Sequence, residues 1–198
     1  MEIKMDIISE LNGKRILIWG YGREGKATEH FLQRCVKPAS VDIFEGKKEE
    51  IDEDDYDFII KSPGIVMNEE NPKYTSETEL FLQQFRDQVI GITGTKGKST
   101  TSAMLYTVLK ACSSRPVLLL GNIGQPCLDY FEEVTEDTII VYEMSCHQLA
   151  HTNVSPHIAI FLNLYEEHLD YYGTVEKYFE AKSHIAAYQK SGDYFFVG

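Results

Sequence analysis

The chain has 198 residues, 43% hydrophobic and 25% charged, a composition that excludes a disordered chain and suits one large or two small globular domains. Its 31 acidic and 19 basic residues leave a formal net charge of -12, which excludes a broad nucleic-acid-binding face but allows one local basic pocket for a small polyanion. Four cysteines without a CxxC pair, and no apolar run of membrane-spanning length, predict a cytoplasmic protein with reduced thiols and no membrane insertion.

In chain order, the apolar run 15–19 predicts a strand that ends in the glycine turn GYGREG, residues 20–25, and a helix follows to about residue 35. Strands are expected at 41–44 and 57–60, the second running into Ser62-Pro63-Gly64, and the acidic stretch between them reads as a solvated face. A new unit starts near residue 88. It opens with a strand at 89–93 and a helix at 99–111, and further strands are expected at 117–120, 138–142, 158–162 and 194–197. Helices are expected at 127–133 and 175–188. Short apolar strands separated by helices predict an α/β fold with mostly parallel sheets covered on both faces. The apolar run at the end, just before Gly198, suggests an N-terminal piece of a longer protein, because an α/β sheet normally continues through a crossover helix.

Between the strand at 89–93 and the helix at 99–111 lies Gly94-Thr95-Lys96-Gly97-Lys98-Ser99-Thr100. Glycines let backbone N–H groups close around phosphate oxygens, and a helix N-terminus adds a positive field. Lys98 can reach terminal phosphates, and Ser99 or Thr100 can offer a hydroxyl to Mg2+. The pattern departs from GxxxxGK[ST] in having Ile92 at its first glycine position. A Thr/Ser-capped helix beside a lysine turn is the competing reading. The turn at Gly20, Gly22 and Gly25 satisfies GxGxxG, and Glu45 stands near where a dinucleotide site places its ribose acid, so NAD or a purely structural turn are both open from the residues alone.

The ordered set GYGREG, SPG, GITGTKGKSTT, GNIG, YEMSCHQL, FLNLYEEHLD and EAK resembles the Mur ligases of cell-wall peptide synthesis, and within them the D-glutamate-adding branch. The resemblance covers nearly the whole chain. It implies a Rossmann-like domain over 1–88 for the UDP substrate, then the first part, 89–198, of a central P-loop ATPase-type domain, with the remainder and a third domain lying outside this sequence. It implies ATP and Mg2+ as cofactors, UDP-N-acetylmuramoyl-L-alanine and D-glutamate as substrates, and no protein partner. On this resemblance ATP meets Gly94, Thr95, Lys96, Gly97, Lys98, Ser99 and Thr100. The substrate meets Gly20, Gly22, Arg23, Gly25, Glu45, Ser62, Pro63, Gly64, Asn122, Ser145, Gln148 and His168. Metal ions are held by Ser99, Glu143, His168 and a carbamylated Lys182, and catalysis rests on Lys98, Glu143, His168 and Lys182. Two departures stand out: Glu24, where the branch often has a small or hydroxylated residue, and Glu167, where an aspartate usually precedes the histidine. The chain alone is expected to lack ligase activity. Another Mur-type or folate polyglutamate-type ligase, or a non-catalytic nucleotide-binding fragment, is the alternative.

Overall fold

The computed structural model describes residues 6–65 and 71–198. Two compact units result: one from residues up to Gln84 together with Pro126–Phe131, the other from Phe85–Gln125 and Glu132–Gly198. The division falls ahead of the 88/89 line drawn from the sequence, and a short later segment returns to the first unit. Among the described residues no helix is long and apolar enough to cross a membrane.

The first unit begins with α1 (Ile7–Leu11), capped by the Asp6 side chain on the Ile8 amide. It continues through β1 (Arg15–Trp19), α2 (Arg23–Cys35), β2 (Ser40–Phe44), β3 (Phe58–Lys61), β4 (Tyr74–Thr75) and α3 (Glu77–Phe85). Its four strands are all parallel, in the order β2-β1-β3-β4. Leu17, Trp19 and Ile59 form a buried cluster that Phe44, Ile51, Tyr56 and Tyr74 flank. The acidic stretch is largely exposed, as expected of a solvated face, and some of its carboxylates are engaged. Asp57 accepts from the Arg15 amide at 2.8 Å, and Glu53 accepts from Tyr74 at 2.6 Å and from Asn71. Pro126–Phe131 belongs here because Phe131 packs its ring 4.7 Å from Phe31 and the Leu128 amide donates to the buried Glu77 carboxylate at 2.9 Å. Residues 128–133 form a 3-10 helix, within the helical segment expected at 127–133.

The second unit runs β5 (Val89–Thr93), α4 (Lys98–Cys112), β6 (Val117–Gly121), β7 (Ile139–Glu143), α5 (Cys146–Leu149), β8 (Ile158–Phe161), α6 (Leu169–Tyr172), α7 (Val175–Ala187) and β9 (Tyr194–Val197). Its parallel sheet has the order β6-β7-β5-β8-β9, so β5 lies between β7 on one side and β8 on the other. After β5 the chain first places β6 and β7 on one side of it and then crosses to place β8 and β9 on the other. That is the switch point at which open parallel sheets hold ligands beyond the carboxyl ends of their strands. Val89, Ile92, Ile140, Val141, Tyr142 and Ala159 are buried and fix this sheet. In the first unit the same reversal falls between β1 and β3, beside the Gly20 turn and Ser62.

Candidate functional site

The loop after β5 owes its shape to two glycines. Gly94 has φ 151° and Gly97 φ 84°, the latter just ahead of α4, a conformation glycine adopts without strain. Asn163, which follows β8, clamps the loop. Its backbone carbonyl accepts from the Thr95 amide at 3.0 Å, its side-chain oxygen from the Lys96 amide at 2.9 Å, and its amide nitrogen donates to the Lys96 carbonyl at 3.0 Å. The Thr95 hydroxyl is buried, accepting from the Tyr165 amide at 2.9 Å and lying 3.2 Å from the Tyr178 hydroxyl. The amides of Thr95 and Lys96, both expected at the phosphates, are thus engaged by Asn163 within the loop. As a cap and a first helical turn, Gly97, Lys98, Ser99 and Thr100 carry amides with no intrahelical acceptor. These amides are the open donors, and Ser99 and Thr100 are exposed beside them.

Lys98 Nζ donates to the carbonyls of Gly94 at 2.9 Å and Thr95 at 3.1 Å. Lys182, on α7 and almost wholly buried, donates to the same Gly94 carbonyl at 2.9 Å and stands 4.9 Å from the Tyr178 ring centroid. Burial and the neighbouring Lys98 charge bring its pKa down to about 8. Lys96 is exposed and pairs with Glu167, whose carboxyl is held below its ordinary range chiefly by that lysine.

Glu143 ends β7 in register with Ile92 of β5 and is fully buried. One carboxylate oxygen accepts from Asn122 Nδ2 at 2.7 Å, and the other is buried without a hydrogen-bond partner among the described residues. A half-satisfied buried carboxylate is costly, and a hard divalent cation with oxygen ligands is the group that fits it. Asn122 is seated by its own amide on the Glu143 carbonyl at 2.9 Å, so the asparagine and glutamate chosen separately from the sequence meet. His168 opens α6 with φ 56°, its side chain 44% exposed and its ring 5.9 Å from that of Tyr178.

In the first unit, Gly20 has φ 90°, and a Cβ on Gly25 would stand 2.2 Å from the Gly20 carbonyl oxygen. These two glycines let α2 approach the turn, whereas Gly22 faces open space with Arg23 exposed beside it. Ser62 Oγ donates to the Gly20 carbonyl at 2.9 Å, Pro63 and Gly64 continue the turn, and Glu45 is exposed at the end of β2. All of these residues lie at the carboxyl edge of the first sheet.

A family model described as Mur ligase middle domain matches residues 92–198. The chain belongs to the Mur ligase family. Among its curated relatives, a UDP-N-acetylmuramoylalanine--D-glutamate ligase of Clostridium kluyveri is 36% identical over 170 residues, covering 82% of this chain and 37% of the relative. A ligase of the same name from Streptococcus agalactiae is 32% identical over 220 residues, covering 96% of this chain and 49% of the relative. The chain thus spans less than half the length of these relatives. A solved UDP-N-acetylmuramate:L-alanyl-gamma-D-glutamyl-meso-diaminopimelate ligase from Neisseria meningitides shares the fold with a TM-score of 0.56, at 18% identity, over 93% of this chain and 71% of that one.

Within this Mur ligase chain, Ser145 Oγ and Gln148 Oε1 each accept from the other residue's backbone amide. The Ser145 amide donates to Gln148 Oε1 at 2.9 Å and the Gln148 amide to Ser145 Oγ at 3.2 Å, a capping box on α5. Sequence reasoning missed Asn163, whose signal is its place just past a strand that neighbours β5.

Two predictions follow from buried charge in this Mur ligase chain. Glu143→Gln removes a carboxylate with one orphaned oxygen, so in metal-free buffer its melting temperature is expected to equal or exceed that of the parent; thermal scans of the two proteins measure it. Lys182 releases its proton at about 8 when folded and near 10.5 when unfolded. Between those values the unfolded chain binds the extra proton, so its penalty is full below about 8 and stability rises with pH across that window. Lys61, buried and likewise lowered to about 8, adds to the same rise. Urea unfolding of Lys182→Met in carbon-dioxide-free buffer is expected to show a shallower rise, by about 2 kcal/mol; an unchanged slope would contradict the assignment.

Proposed function

We propose that this chain is the substrate- and ATP-binding portion of a ligase that joins D-glutamate to UDP-N-acetylmuramoyl-L-alanine. The observation that carries the proposal is the meeting, at one switch point, of a glycine-shaped helix start, two lysines on one loop carbonyl and a buried, half-satisfied glutamate. The relatives named for that reaction at 32–36% identity support the choice of branch.

In this reading the amides of Gly97, Lys98, Ser99 and Thr100 receive phosphate oxygens of ATP, and Lys98 exchanges its two loop carbonyls for the β/γ-phosphates. Glu143, with Ser99, His168 and, once it is carbamylated, Lys182, would hold Mg2+. When bound, that ion neutralises charge on the transferring phosphoryl group. The substrate carboxylate takes the γ-phosphoryl group, giving an acylphosphate and ADP. The amine of D-glutamate then attacks the acyl carbon, so an amide bond forms as inorganic phosphate leaves and the amine's protons pass to solvent. A lysine with a pKa near 8 has a neutral fraction able to take up carbon dioxide, and the carbamate so formed turns a cation into an anionic metal ligand. Gly20, Gly22, Arg23 and Gly25 receive the uridine diphosphate, with Glu45 and Ser62-Pro63-Gly64 flanking the nucleoside. Asn122, and the segment that Ser145 and Gln148 fix, border the muramoyl part.

A chimera that carries this chain in place of the matching segment of the Clostridium kluyveri relative tests the proposal. It is expected to release ADP and phosphate in step with amide formation from UDP-N-acetylmuramoyl-L-alanine and D-glutamate. A folded chimera that forms amide only with a different amino acid or nucleotide substrate would refute the assigned branch.

A further inference from the structure

Cys146, His147 and His168 bring one sulfur and two imidazoles together, with their ligand atoms all within 4.8 Å of one another. Cys146 is a buried thiol outside any disulfide, at the start of α5, and the capping box of Ser145 and Gln148 fixes that start. His147 is braced by aromatic rings: its centroid lies 4.3 Å from that of Tyr171 and 5.6 Å from the stacked Tyr172, whose hydroxyl stands 3.4 Å from Nδ1. The His168 ring is 5.3 Å from that of His147 and is the exposed, adjustable member.

We propose that these three side chains form a transition-metal site, filled by Zn2+, separate in its chemistry from the Mg2+ site proposed at Glu143. A thiolate and two imidazoles are soft and borderline donors that favour Zn2+ over Mg2+. Tetrahedral Zn2+ places its ligand atoms about 3.3–3.7 Å apart, so the three side chains have to close by about 1 Å at their widest gap, an adjustment to which rotation of the exposed His168 side chain contributes. Three protein ligands leave the fourth position to water. Binding releases the Cys146 proton to solvent, so affinity rises with pH. Metal capture stands on this geometry alone. Its consequence rests on the ligase reading: a zinc-bound His168 no longer serves the nucleotide, so Zn2+ weakens Mg-ATP binding.

Titration of the 198-residue chain with Co2+, followed by competition with Zn2+, tests the site. The expected result is a thiolate-to-cobalt charge-transfer band in the near ultraviolet that Zn2+ removes at one equivalent and excess Mg2+ leaves in place. Cys146→Ser should lose the band even though Cys35, Cys112 and Cys127 remain. His147→Phe, which keeps the thiol and the aromatic packing, and His168→Ala should each weaken Co2+ binding roughly tenfold or more. No band in the parent chain, a band that survives Cys146→Ser, or unchanged affinity in folded His147→Phe would overturn the proposal. Unchanged Mg-ATP affinity in the zinc-loaded chain, with the band intact in the cobalt form, would instead strike only the nucleotide role of His168.

Discussion

Lys98→Ala is expected to lower Mg-ATP affinity by about 10- to 100-fold while leaving uridine-nucleotide binding unchanged, because a charge-assisted hydrogen bond to phosphate is worth about 1.5–3 kcal/mol. Lys98 lies on the first turn of α4, and its ammonium rests on the Gly94 and Thr95 carbonyls of its own unit. The loop itself should survive the change, since Asn163 and the buried Thr95 hydroxyl hold it from the other side. Calorimetric titration with each nucleotide separates the two sites. Equal losses for both would mean that the loop does not seat ATP, or that the variant has lost its fold, and a circular dichroism melt decides which.

The second large effect is on stability. Gly121 ends β6 with φ 97°, and a Cβ there would stand 2.3 Å from the Glu143 carbonyl oxygen and 2.3 Å from the Tyr142 ring. Left-handed strain of about 1–2 kcal/mol and overpacking of about 1–3 kcal/mol both oppose Gly121→Ala, so a loss of about 2–5 kcal/mol is expected in urea unfolding. Gly173→Ala supplies the control, for Gly173 has φ 76° but nothing within 4 Å of an added Cβ. Its loss should be confined to the strain, about 1–2 kcal/mol. Equal losses at the two positions would show that the close approach of β6 to the end of β7 is not what selects glycine. Because Asn122 takes its position from the Glu143 carbonyl, the first variant should also blunt the response to Mg2+.

The long elements were legible because their apolar runs and punctuating glycines are local signals. The strands around Ile16–Trp19, Val89–Thr93 and Ile139–Tyr142 are nearly continuous apolar segments, as parallel strands buried on both faces require. What escaped was short or set by distant partners. β4 has two residues and α5 and α6 four each, too few for a period to declare itself. The helix α3 hides its pattern because Glu77 and Glu79 are buried polar residues, and Glu77 takes its bond from Leu128, far along the chain. At the site, residue types and strand ends pointed to Gly94–Thr100, Asn122 and Glu143. Which loop donors stay open depended on Asn163, an ordinary residue until β8 is laid beside β5. The mutual capping of Ser145 and Gln148 was written in their spacing, yet only the position of α5 showed their polar atoms turned toward each other.

A polyphosphate held at the start of α4 perturbs the backbone amides that receive it. Backbone amide NMR of the chain, titrated with magnesium and a non-hydrolysable ATP analogue, measures this directly. The largest shifts should fall on Gly97, Lys98, Ser99 and Thr100, with smaller ones at Glu143 and at Asn163. Amides of Gly97 to Thr100 that stay in place, while those of Gly20 to Gly25 move, would contradict the account.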